Sequence, residues 1–174
     1  IASDKTGTLT VNKQTVRALA LPSSKRFAVS GEGYAGIGAV TAVDGVDLDT
    51  PARLRLEAFA RVAILCNEAH LAVAGDRWEH HGDAVDVALL ALGYKLGLDP
   101  AQIRSAVQIT GELPFESERR FAAVRYRQND ETLVAVKGAV ETVLPFCVSM
   151  HTASGVVPID QAWVERAALE LSTE

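Results

Sequence analysis

The sequence predicts an α+β fold, with an antiparallel β-sheet flanked by helices. Three observations carry this. Residues 107–113, 120–127 and 131–137 are rich in strand formers, and Asn129-Asp130 makes a tight turn between the last two. Helical periodicity follows start signals at Thr50-Pro51, Gly82-Asp83 and Asp160. Hairpins and helices alternate without an internal repeat or a low-complexity linker.

In chain order, residues 17–21 and 26–30 read as short strands around Pro22-Ser23-Ser24. Gly31-Glu32-Gly33-Tyr34-Ala35-Gly36 formally fits a dinucleotide-binding fingerprint, which requires a helix next. Residues 37–43 are instead β-rich and end in the hairpin signal Asp44-Gly45, so that reading is rejected. Thr50 and Pro51 open a helix, with Leu54, Ala58, Val62 and Leu65 at helical spacing, ending near Cys66-Asn67. Residues 69–79 form a β-like excursion around Gly75-Asp76. A second helix runs from Gly82-Asp83 to Leu96, capped by Gly97, and Asp99-Pro100 starts a short third. A brief helix over 138–146 stops around Pro145. Asp160 caps a final amphipathic helix with Ala162, Val164, Ala167, Ala168 and Leu171 mostly inward.

Composition narrows the function. The chain has 174 residues, is 48% hydrophobic, and so can bury a core. Its net charge of −5 argues against a nucleic-acid-binding surface. No apolar run approaches the roughly 18–20 residues that span a bilayer. Cys66 and Cys147 lie far apart and outside any C-x-x-C, which reads as two buried thiols rather than a zinc or redox site. His70, His80 and His81 lack zinc-type spacing and read as a solvated loop. The chain starts inside a motif and stops at the end of a helical pattern, as a fragment of a larger protein would.

That opening motif is Asp4-Lys5-Thr6-Gly7-Thr8-Leu9-Thr10. A carboxylate is a competent nucleophile for forming an acyl phosphate. Lys5 offsets charge, and hydroxyls and backbone N–H groups can hold phosphate oxygens. Thr6 cannot serve as the general acid/base that a second Asp at that position supplies in related phosphatases, so an acyl phosphate should outlive its formation. The string, preceded by Ile1-Ala2-Ser3, resembles the phosphorylation motif of P-type ATPases, the ion-pumping membrane ATPases.

Further segments resemble the nucleotide-binding domain of these pumps, in the expected order. Residues 30–38 are similar to a glycine-rich stretch early in the domain of calcium-pump-like members, and Cys66-Asn67-Glu68 to the family's C-N-D. Gly82-Asp83-Ala84-Val85-Asp86-Val87-Ala88-Leu89 resembles G-[DE]-x-T-E-x-A-L, which places Asp86 where the family acid accepts a hydrogen bond from the adenine amino group. Asp is one methylene shorter than Glu and Val85 replaces Thr, so direct contact and a water bridge both stay open. Pro114-Phe115-Glu116-Ser117-Glu118-Arg119-Arg120 resembles P-F-[DE]-S-x-R-[KR], which implies that Phe115 stacks on adenine and Arg120 lies near the phosphates. Phe121 reads as packing. Lys137-Gly138-Ala139-Val140-Glu141 resembles K-G-A-[PS]-E, which implies a nucleotide contact at Lys137 and Gly138.

The resemblance implies residues 1–15 as a stub of the phosphorylation domain and 16–174 as the nucleotide-binding domain. It implies ATP and Mg²⁺ as cofactors, with Asp4 and the Thr6 carbonyl helping to hold the metal and Asp4, Lys5 and Thr6 as the catalytic segment. The expected partners are the remaining phosphorylation, actuator and transmembrane domains of a pump, with this segment on the cytoplasmic side and monomeric by itself. The T-G-D and G-D-G-x-N-D segments that complete the family's phosphorylation site are absent, so this chain alone should bind nucleotide without turning it over. The alternative is a structural or regulatory interaction module that no longer binds nucleotide usefully, motivated by Val85, Asp86 and Val140; a soluble phosphatase is disfavoured by Thr6.

Overall fold

A computed structural model describes residues 13–22, 25–43 and 48–173. Its strands pair antiparallel throughout, but in four small sheets among the described residues rather than in one. β1 (Ala18–Leu21), β2 (Lys25–Val29) and β3 (Val40–Ala42) form the first. β4 (His70–Ala74) and β5 (Arg77–His81) form a hairpin turned by Gly75. β6 (Gln108–Leu113), β7 (Phe121–Gln128) and β8 (Glu131–Gly138) form the third, and β9 (Ser149–Thr152) with β10 (Gly155–Pro158) the last.

Helices separate the sheets. α1 (Thr50–Leu65) and α2 (Ala84–Lys95) pack together, and each feeds two apolar clusters. Leu56, Ala60, Leu92 and Leu96 join Phe27 and Val29 of the first sheet. Ile64, Leu65, Val87 and Leu90 join Leu71 and Val124 in the other. Helices inserted between strand groups account for the separation into small sheets.

Local signals explain the helix starts. The Asp49, Asp83, Asp99 and Asp160 side chains accept from backbone N–H groups at the starts of α1, α2, α3 (Pro100–Ser105) and α5 (Gln161–Ser172). The cap of α1 is therefore Asp49, with Thr50 already helical. Gly97 follows α2 at φ +79°, the left-handed conformation of a helix stop. Asn129 and Asp130 are both left-handed, as a two-residue hairpin turn between β7 and β8 needs. No helix follows the glycine-rich segment; Gly36 packs so closely that a Cβ would lie 2.3 Å from Tyr94 Cβ and 2.6 Å from the Trp78 ring.

Several expectations are corrected. The inward stripe of α1 is Ala52, Leu56, Ala60 and Ala63, whereas Leu54, Ala58 and Val62 are exposed. α1 is apolar over much of its circumference, and its alanines allow close approach to α2. No residue of α5 is buried; Val164, Ala167, Ala168 and Leu171 are half-buried and Ala162 is exposed. The segment over 138–146 divides into α4 (Val140–Val143) and a 3-10 turn (Leu144–Phe146) that contains Pro145. The β9–β10 hairpin was not predicted, because its strands are short and carry no strong alternation. His70, His80 and His81 lie on β4 and β5 rather than in a loop, and the His80 ring meets Tyr34 edge-on. Cys66 is buried, but Cys147 is only half-buried. The Asp44-Gly45 turn lies outside the described residues.

Candidate functional site

Four chain segments converge on a cleft of about 730 Å³. The N-terminal turns of α2 supply Gly82, Asp83, Val85, Asp86 and Leu89. Glu68 enters just after α1, Phe115 and Arg120 from the β6–β7 connection, and Lys137, Gly138 and Ala139 from the end of β8. Phe115, Asp86, Arg120, Lys137 and Gly138, expected from sequence, thus share one cleft. Asp4, Lys5 and Thr6 lie outside the described residues.

Each side chain has a local reason for its position. Phe115 is 53% exposed, so its ring presents a free aromatic face instead of filling the core. Its backbone N–H donates to Glu68 Oε1 at 3.0 Å. Lys137 sits opposite Ala122 in the β7–β8 register, where the ladder ends. A Cβ on Gly138 would lie 2.5 Å from the Arg120 carbonyl oxygen, which accepts the Ala139 N–H at 3.0 Å. Arg120 itself is left-handed, at φ +59°, after a turn in which the Glu116 carbonyl accepts from both Arg119 and Arg120. Phe121, expected as packing, stacks edge-on against Phe146.

The electrostatics depart from the sequence expectation at Asp86. This carboxylate is buried, and both oxygens are engaged: Oδ1 by the Lys137 ammonium, Oδ2 by the Glu68 N–H at 3.0 Å. Its own carbonyl accepts from the Asn67 side chain at 3.0 Å. Arg120 pairs with Glu141 at 2.6 Å, both groups more than half exposed, a pair worth at most about 1 kcal/mol. A hydrogen bond from its own backbone N–H, and then Arg120, hold the Glu141 carboxyl below its ordinary value. Burial pushes the Cys66 thiol up, opposed by nearby Lys137.

Sequence reasoning matched Glu68 within Cys66-Asn67-Glu68 but gave it no role. The chain just before it is held by Arg104, whose guanidinium donates to the carbonyls of Leu65 and Asn67 at 3.1 Å and of Ile64 at 3.4 Å. That clamp joins α3 to the end of α1, a tertiary contact without a motif. No group of three His, Cys, Asp or Glu side chains suited to a metal occurs among the described residues.

An aromatic face, two cations and one buried acid at a helix start define a cleft suited to a phosphorylated, aromatic small molecule. The family model described as P-type ATPase, cytoplasmic domain N, matches residues 55–172, and the chain belongs to that family. It is 33% identical, over 99% of its length, to the "Probable cation-transporting ATPase F" of Mycobacterium tuberculosis, of which the match covers 19%. It is 34% identical over its whole length to "Cation-transporting ATPase pma1" of Synechocystis, covering 20% of it. "Calcium-transporting ATPase type 2C member 1" of Bos taurus is 33% identical over 92% of this chain, with 17% of that relative covered. The chain thus spans about a fifth of the length of the relatives it matches. No helix among the described residues is long and apolar enough to cross a membrane.

Proposed function

We propose that this chain is the ATP-binding domain of a cation-transporting P-type ATPase, with the phosphorylation motif at its front. The convergence of Phe115, Lys137, Gly138, Arg120 and Asp86 on one cleft carries the reading. Phe115 is the stacking platform for adenine, worth roughly 1–3 kcal/mol by analogy with base stacking. Lys137 and Arg120 meet the phosphates, and Gly138 leaves room for close approach. In the intact pump this domain, residues 16–174, swings against the phosphorylation domain, of which residues 1–15 are the leading segment. The Asp4 carboxylate then attacks the γ-phosphorus, the bond to the bridging oxygen breaks, and ADP leaves. Asp4 and the Thr6 backbone carbonyl, with Lys5 beside them, would help hold Mg²⁺, which would supply charge neutralisation for the phosphates. The remaining phosphorylation, actuator and membrane domains are the partners, and this domain faces the cytoplasm as a monomer in its architecture of antiparallel strands with helices packed outside. Cation transport is the coupled work. The isolated chain binds ATP without hydrolysing it.

Calorimetric titration with ATP, ADP and GTP, with and without Mg²⁺, tests this. Saturable adenine-selective binding is expected, abolished in Phe115→Ala and weakened in Lys137→Ala. A folded chain that ignores millimolar ATP would instead be a structural or regulatory module. The occupied Asp86 carboxylate is the observation that favours that second reading.

A further inference from the structure

We infer that Glu68, and not Asp86, accepts the adenine amino group, and that Asp86 is a positioning residue for Lys137. The inference rests on the ATP-binding reading above. A specificity acceptor must keep a lone pair available toward the ligand, because an exocyclic amine is only a donor. Asp86 is buried, and each of its oxygens already accepts once, from the Lys137 ammonium and from the Glu68 amide, so its remaining lone pairs are less open to a ligand than an uncommitted oxygen on an exposed side chain. Its short side chain lines the cleft and fixes the cation that meets phosphate.

Glu68 has the complementary properties. It is exposed and lines the cleft. One oxygen accepts the Phe115 N–H at 3.0 Å, and no hydrogen bond to Oε2 is made among the described residues. The carboxylate is therefore tethered to the backbone of the residue whose ring would carry the base. A base stacked on that ring would present its edge to the other groups lining the cleft, and Glu68 is one of them. The Glu68 amide, meanwhile, donates to Asp86, so the two carboxylates are joined through one residue while performing different tasks.

The test compares ATP with inosine triphosphate, which carries a carbonyl oxygen in place of the amino group. Wild type should prefer ATP. In Glu68→Gln the amide can accept from adenine or donate to inosine, so the ATP preference should fall about tenfold, the worth of a hydrogen bond to a charged acceptor. Asp86→Asn should weaken both nucleotides alike and leave the preference intact. A preference unchanged in Glu68→Gln, or lost in Asp86→Asn, overturns the inference. If wild type binds ATP and Phe115→Ala abolishes binding while Glu68→Gln keeps its preference, this assignment fails and the ATP-binding reading stands. If wild type binds neither nucleotide, both fall. Equal losses for the two nucleotides in Glu68→Gln would reduce Glu68 to support for Phe115 and also overturn the assignment.

Discussion

Asp86 and Lys137 lie far apart in sequence, and each keeps the other's charge tolerable in a half-enclosed cleft wall. Their side chains are only 10% and 21% exposed. Removing one partner of such a pair leaves an uncompensated charge and costs about 3–5 kcal/mol, far more than the pair itself contributes. Lys137→Ala should therefore lower stability by that amount, and adding Asp86→Asn should recover most of it, as measured by urea denaturation of both single variants and the double. Sequence matching put both residues near the nucleotide. It did not reveal that they are bonded to each other, because pairing across strand and helix is set by tertiary register and not by either motif. The exposure of Phe115 in the cleft was legible for the opposite reason: it follows from a short local motif just past a strand end.

Helix α1 shows where periodicity misleads. Its capping region was readable within a residue, since Asp, Thr and Pro in succession mark a helix start by local chemistry. Its buried face was not, because apolar residues occur at Leu54, Leu56, Ala58, Phe59, Ala60 and Val62 and support more than one stripe. Packing selects the stripe that lets α2 approach. Leu56 is fully buried, and Leu54 is 60% exposed. Leu56→Ala should cost about 2–5 kcal/mol by loss of transfer energy and opening of a cavity. Leu54→Ala should stay within about 0.5 kcal/mol. Thermal unfolding of the two variants distinguishes the stripes, and equal losses would restore the face expected from spacing. The α2 helix was easier to place, with Asp83 and Gly97 at its ends and an apolar run between them.

Across the whole molecule, the two apolar clusters are not independent, since α1 and α2 contribute to both. Loss of either cluster strips one face from both helices. Far-UV and near-UV circular dichroism should therefore fall together in one cooperative transition, and Leu92→Ala should shift both midpoints equally. Separate midpoints would show two folding units. The α+β class and antiparallel pairing were legible because hairpin turns and helix caps are local. The division into small sheets was not, since it arises from helices inserted between strands distant in sequence.

Both cations of the cleft already have a partner: Lys137 has Asp86, and Arg120 has Glu141. Under the proposed function, an arriving triphosphate would not meet bare cations. It would draw Arg120 from an exposed, weakly held partner, while Asp86 keeps Lys137 in place. Under that function Glu141 would take Arg120 back as a spent diphosphate departs, so the same exposed pair would ease release before the next round.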